Sequence, residues 1–192
     1  TKQSERSLPE FDKSFLESIQ NVFANKQLAE TDSVIQIEGD LSEDTLQNSF
    51  LNSSIVVKSD SHLKVSSGFY SGNVAIVSSK QITISSEAVL QNVILFAPRI
   101  IVEENFKGCA QLYATDSIIV KKNVTFTYPS VIGLLKGAQS PIVSAIVLNE
   151  NDSLSGCMYA YKKAEDVLKQ SGIIMSVKSF GYRHIYSNGY ID

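Results

Sequence analysis

Residues 81–102 read QITISSEAVLQNVILFAPRIIV, and their spacing decides the fold. β-Branched residues crowd the stretch, yet it holds no Asn-Gly or Gly-Gly pair that would turn it back as a hairpin. Its opening, QITISSEA at 81, returns as RIIVEENF at 99 and SIIVKKNV at 117, so an Ile-x-(Ile/Val) strand recurs every 18 residues. Upstream, HLKVSSGF begins at 62, a repeat of 19. Strands this short, repeating at a fixed step with few Gly or Pro turns, suit a solenoid better than a sandwich.

A finer period lies inside the repeat. Every sixth residue from 76 gives Ile76, Ile82, Ala88, Ile94, Ile100, Phe106, Leu112, Ile118 and Val124, all apolar. The companions two positions on are Ser78, Ile84, Leu90, Phe96, Val102, Gly108, Ala114, Val120 and Phe126. Six nested in 18 means three short faces per turn, each sending two side chains inward between outward ones. A second thread, IVS at 76, LFA at 95, LYA at 112, MYA at 158 and IYS at 185, repeats an aliphatic, an aromatic or Val, and a small residue. The two threads differ by one residue at 95: one puts Phe96 inside, the other Leu95, and a bulge there would reconcile them. The inward pairs are bulky (Ile82 with Ile84, Ile100 with Val102, Ile118 with Val120), which favours a right-handed coil, the usual hand of parallel crossovers. The fold expected is all-β: a right-handed, single-stranded parallel β-helix of about 18–19 residues per coil.

Two kinds of segment depart from this pattern. Residues 1–30 read as an N-terminal amphipathic helix or cap, with Phe11, Phe15, Ile19, Val22 and Phe23 on one stripe. Ser7 and Glu10 fit a capping box and Pro9 suits the first turn. Such a helix serves as a lid over the open end of the sheet, or as a stem that binds a partner. The β-helix domain spans 31–192, with insertions expected at 127–141 and 161–172. The second insertion has helical spacing, with Lys162/Asp166 and Glu165/Lys169 four apart and Gly172 placed as a C-terminal cap.

The repeats and bulky inward pairs resemble bacterial right-handed β-helix proteins with short triangular coils. The bactofilins, a polymer-forming cytoskeletal family, are similar in kind. So are uncharacterised surface β-helix proteins of Bacteroidetes, whose repeats LYATDSIIVKKNVTFTYPS resembles. The likeness covers residues 34–192 and rests on pattern. Few interstrand glycines, the leading helix and the insertions depart from bactofilins. What the resemblance implies is an extracytoplasmic protein of the cell envelope or surface, with a membrane tether upstream of Thr1.

Composition bounds the function further. A net charge of -3 and a pI near 5.4 offer no general grip on phosphate backbones, so nucleic acid is not an expected partner. No apolar run approaches the roughly 18 residues of a membrane span. Cys109 and Cys157 have no metal-ligand spacing; they read as two small buried hydrophobes, with a disulfide open if the compartment is oxidising. The Asn-x-(Ser/Thr) triplets at Asn52, Asn123 and Asn151 occur near chance frequency in a chain this rich in Ser and Asn.

Parallel β-helices also carry polysaccharide-cleaving enzymes, which need two or three carboxylates on one face with a base or cation beside them. Glu103 and Glu104 are adjacent and point to opposite sides of a strand, Asp116 has no acidic neighbour one repeat away, and Glu38 and Asp40 sit in a turn. They read as solvated corners. No catalytic residue, metal site or cofactor is expected. The face with most binding character is GYRHIYSNGY, where alternation places Tyr182, His184 and Tyr186 on one side with Arg183 nearby. Such a surface stacks on sugar rings, or merely stiffens neighbouring coils. The function expected is a non-catalytic structural or adhesive module, acting by self-association through solenoid ends or by binding a glycan or protein partner. A carbohydrate-binding or polysaccharide-cleaving β-helix and a bactofilin-like polymer former are the alternatives.

Overall fold

The computed structural model describes residues 33–42, 45–136, 144–162, 171–176, 178–187 and 190–192. Sixteen strands follow one another through them: β1 (Ser33–Gln36), β2 (Gly39–Leu41), β3 (Thr45–Asn48), β4 (Ile55–Ser59), β5 (His62–Val65), β6 (Phe69–Gly72), β7 (Val74–Ser78) and β8 (Gln81–Ile84). Next come β9 (Val89–Val102), β10 (Lys107–Val120), β11 (Thr125–Lys136), β12 (Ser144–Leu148), β13 (Ser153–Lys162), β14 (Ser171–Met175), β15 (Phe180–Ser187) and β16 (Tyr190–Ile191). The fold is all-β and its sheet is parallel; no helix occurs among the described residues. The expected N-terminal helix lies outside them, and so does residues 163–170 of the helical insertion.

Each strand pairs with the one a repeat later, which sorts the sheet into three ladders. The first runs β1-β4-β7-β9-β10-β11-β13-β15. The second joins β2, β5 and β8 to the C-terminal parts of β9 and β10, then to β12, β14 and β16. The third joins β3 and β6 to the N-terminal parts of β9, β10, β11, β13 and β15. Strands β9 and β10 are long because they pass through all three ladders with no break at the corners.

The register confirms the repeat. Ile82 pairs with Ile100, Ile100 with Ile118, Ile118 with Ile146 and Ile146 with Ile173, and all five are fully buried. With Leu95, Leu112, Ile132 and Met158 of the first ladder, and Tyr70, Leu90, Phe126 and Leu154 of the third, they form one continuous core. Burying each large aliphatic side chain contributes about 1.5–3 kcal/mol, so the stacked columns rather than the turns hold the structure together. Buried Ser78 earns its inward place at a corner: its hydroxyl donates to Ser61 O at 2.6 Å and accepts from the N–H groups of Lys80 and Gln81, both at 3.1 Å.

The six-residue count breaks at Ile94, which is exposed while Leu95 is fully buried. Cys109 pairs with Gln91 and Ala110 with Val93, so Asn92 is an extra residue in β9, with φ 57°. Asn tolerates this left-handed conformation, and the bulge turns Leu95 inward. The corner after Ala114 restores the 18-residue spacing.

The insertions are shorter than their expected bounds. Residues 127–136 belong to β11, where Val131, Ile132, Gly133 and Leu134 pair in order with Gln111, Leu112, Tyr113 and Ala114. Only 137–141 of that segment lies outside the described residues. At the second, Tyr161 and Lys162 end β13, and Gly172, instead of capping a helix, is buried in β14 opposite Ala145. Sheet pairing sets both ends of this segment, while the helical spacing itself falls on 163–170, outside the described residues.

Candidate functional site

The outer side of the first ladder differs from an ordinary solvent-facing sheet. Alternation sends Val56, Ala75, Ile94, Gln111, Val131, Cys157 and His184 outward in one column, linked strand to strand. A second outward column runs Val77, Phe96, Tyr113, Gly133, Tyr159 and Tyr186. Phe96, Tyr113, Leu135 and Tyr159 form a cluster separate from the main core, with Val77, Val131, Cys157, Tyr161 and Tyr186 packed against it.

Gly133 makes this cluster close. A Cβ there would lie 2.7 Å from Tyr159 Cζ and 2.8 Å from Tyr113 Cδ1, so rings from the strands on either side meet over the missing side chain. Tyr113 donates to Gln111 Oε1 at 2.9 Å. Burial pushes the Tyr113 phenol up to about 12, with a hydrogen bond to Tyr159 acting the other way, and burial raises Tyr159 further. Both rings therefore stay neutral across physiological pH. Burial also raises the Cys157 thiol, the opposite of what an activated nucleophile requires. The face offers apolar and aromatic contact, not acid–base chemistry.

Of the residues singled out in the sequence, His184 is exposed and paired in register with Cys157, and Tyr186 is half-buried opposite Tyr159. The backbones of Tyr182 and Arg183 lie in β15 opposite Ser155 and Gly156. Phe96, Tyr113 and Tyr159 were the residues that sequence reasoning passed over as a surface feature. Their signal was the middle letter of LFA, LYA and MYA, which strand alternation turns outward.

Elsewhere the carboxylates are dispersed. Glu103 accepts from Lys121 Nζ at 2.6 Å and Glu150 from Lys122 Nζ at 3.0 Å, both at turns. Glu38 and Asp40 are exposed near the first edge of the sheet. Among the described residues, no three His, Cys, Asp or Glu side chains group as metal ligands would. Both cysteines are free, and each is half-buried rather than buried; Cys109 Sγ lies 3.3 Å from Asn92 Oδ1. The chain matches no protein-family model, no curated protein and no solved structure.

Proposed function

We propose that the chain is a non-catalytic structural or adhesive module, a right-handed parallel β-helix of a bacterial cell envelope or surface, acting by self-association or partner binding. The single observation that carries this reading is the unbroken buried column from Ile82 through Ile100, Ile118 and Ile146 to Ile173. A stack of this kind is a stiff rod whose surface area lies in long faces and whose ends are strand edges. Among the described residues β1 pairs only with β4, and Ile35, in register with buried Val57, is 41% exposed. An apolar strand edge of this kind is a template for another chain. The bacterial surface location rests on the resemblance described above.

Light scattering and negative-stain microscopy of the purified protein test the reading, alongside polysaccharide cleavage assays with and without Ca²⁺. Concentration-dependent association that Ile35→Lys weakens is the expected result. Catalytic turnover on any polysaccharide would overturn the non-catalytic reading.

A further inference from the structure

The corner where the third ladder hands the chain on to the first differs from the other two in charge. Its segments, 45–57, 65–79, 88–98, 108–115, 123–135 and 153–161, hold no Asp, Glu, Lys, Arg or His. They make this crossing in six successive coils. The charged residues between Lys58 and Lys162 stand instead on the second ladder and around its corners. Only Lys58, Lys136, Lys162 and Lys107 lie on the other two ladders, at the ends away from this corner. The large apolar residues exposed among the described ones are distributed the opposite way. Phe50 (67%), Leu51 (97%) and Tyr128 (61%) project from the corner, and Val34, Val89, Ile94 and Phe180 stand on the ladders beside it. The remaining two, Ile35 and Ile191, are inward residues bared on the first and last strands.

The first of these crossings is built to project. From β3 to β4 the chain takes six residues, 49–54, where β6 to β7 takes only Asn73. Ser33 meets its partner Ile55 after 22 residues, whereas Ile55 meets Val74 after 19. Asn48 Nδ2 donates to Ser53 O at 2.8 Å and to Asn73 O at 2.9 Å, and Asn73 Nδ2 donates to Asn52 O at 2.9 Å. Gly72, at φ 79°, leaves room for Asn48 O where any Cβ would collide with it. This uncharged base holds Phe50 and Leu51 out in water, an arrangement whose solvation cost burial within the described fold does not offset. We propose that this corner rests on a lipid surface. Phe50 and Leu51 enter among the acyl chains, the Ser and Asn residues of the loop meet the headgroups, and Tyr128 anchors the same edge four strand spacings, about 19 Å, farther along. A convex edge with projections this far apart offers a protein partner too few contacts for the roughly 1,200 Å² of a specific interface. A fluid bilayer accepts isolated projections, and an uncharged edge meets it with no ion to desolvate. With no basic residue in the corner, the contact does not select anionic lipid. It is independent of the strand-edge association proposed for the ends of the sheet.

Co-sedimentation of the full chain with phosphatidylcholine vesicles at low and high salt tests this. Replacing both tip residues, Phe50→Ser with Leu51→Ser, is expected to lower vesicle partitioning by about tenfold or more. Ile101→Ser, outward on the second ladder, is expected to leave it unchanged, and so is high salt. The chain has no Trp, so Leu51→Trp supplies a fluorophore with no background. Its emission is expected to shift to the blue on adding vesicles and to be quenched by brominated lipid, whereas Thr83→Trp on the second ladder is expected to do neither. Absence of vesicle binding, or an equal loss in Ile101→Ser, overturns the proposal. So does binding that needs anionic lipid or vanishes in high salt, which assigns it to the charged corners. A Leu51→Trp blue shift that grows with protein concentration in the absence of vesicles overturns it too, in favour of a second copy.

Discussion

Gly108 and Gly133 show how single residues tune this packing. An added Cβ at Gly108 would meet the Phe106 ring at 2.6 Å, because that ring swings from the preceding turn into the space the glycine leaves. It packs there on Phe126, ring centroids 5.7 Å apart. Asp152 is the exception in the turn column that Phe106 and Val124 fill with apolar groups. Only 2% exposed, it accepts from Val124 N–H at 2.9 Å and Asn149 N–H at 2.8 Å. Loss of solvation raises its carboxyl from 3.8 to about 6, and the two backbone donors only partly offset this. A carboxyl with a raised folded-state value holds its proton more tightly when folded. Its contribution to stability is therefore complete below about pH 3.8 and is lost as the pH climbs through 6. Urea unfolding from pH 3.5 to 7 should show the wild type losing up to about 3 kcal/mol relative to Asp152→Asn, whose side chain does not titrate. Parallel curves for the two proteins would count against this account.

Within the repeat, the inner and outer positions of one strand differ sharply in what they hold. Ile100 is fully buried and stacked between Ile82 and Ile118, whereas neighbouring Ile101 is half-buried on the outside. Ile100→Ala should cost about 2–5 kcal/mol, the usual range for emptying a tight core position. Ile101→Ala should cost about 1 kcal/mol or less, and equilibrium denaturation of the pair measures both. This inside–outside rhythm was legible in the amino-acid sequence from Ile76 to Val124, because a period of two within a period of six leaves few other arrangements. The bulge was legible only as a disagreement between two counts, since its cause is the backbone conformation of one Asn. The strand nature of 127–136 was hidden because the corner at Thr127–Ser130 shifts the register: Phe126 pairs with Leu154, but Ser130 with Gly156. The outer aromatic columns were present as letters, but their close packing depends on Gly133 letting the Tyr113 and Tyr159 rings meet over it, which periodicity does not encode. His184 stands exposed opposite Cys157, and Tyr186 half-buried opposite Tyr159.

At the scale of the molecule, spacing and register come apart after Val120. Arg99 pairs with Ser117 18 residues on, whereas Ser117 pairs with Ala145, 28 on, and Ser144 with Ser171, 27 on. The ladders nevertheless continue with Ile118, Ile146 and Ile173 aligned. The additional residues in the sequence do not disturb the register on either side of them. Closing a loop twice as long costs only about 0.6 kcal/mol more. A seven-residue Gly-Ser stretch added between residues 137 and 143 should therefore lower the unfolding free energy by about 1 kcal/mol or less, as read from urea denaturation. A larger loss would mean that this corner is itself part of the packing.

The same tolerance bears on how such a chain can change over time. Rungs are fixed by their neighbours above and below, while seven residues separate β11 from β12 in the sequence. If the Gly-Ser stretch costs as little as expected, new sequence can accumulate there, be tried against whatever the sheet meets, and be discarded, with the column of isoleucines indifferent to the outcome.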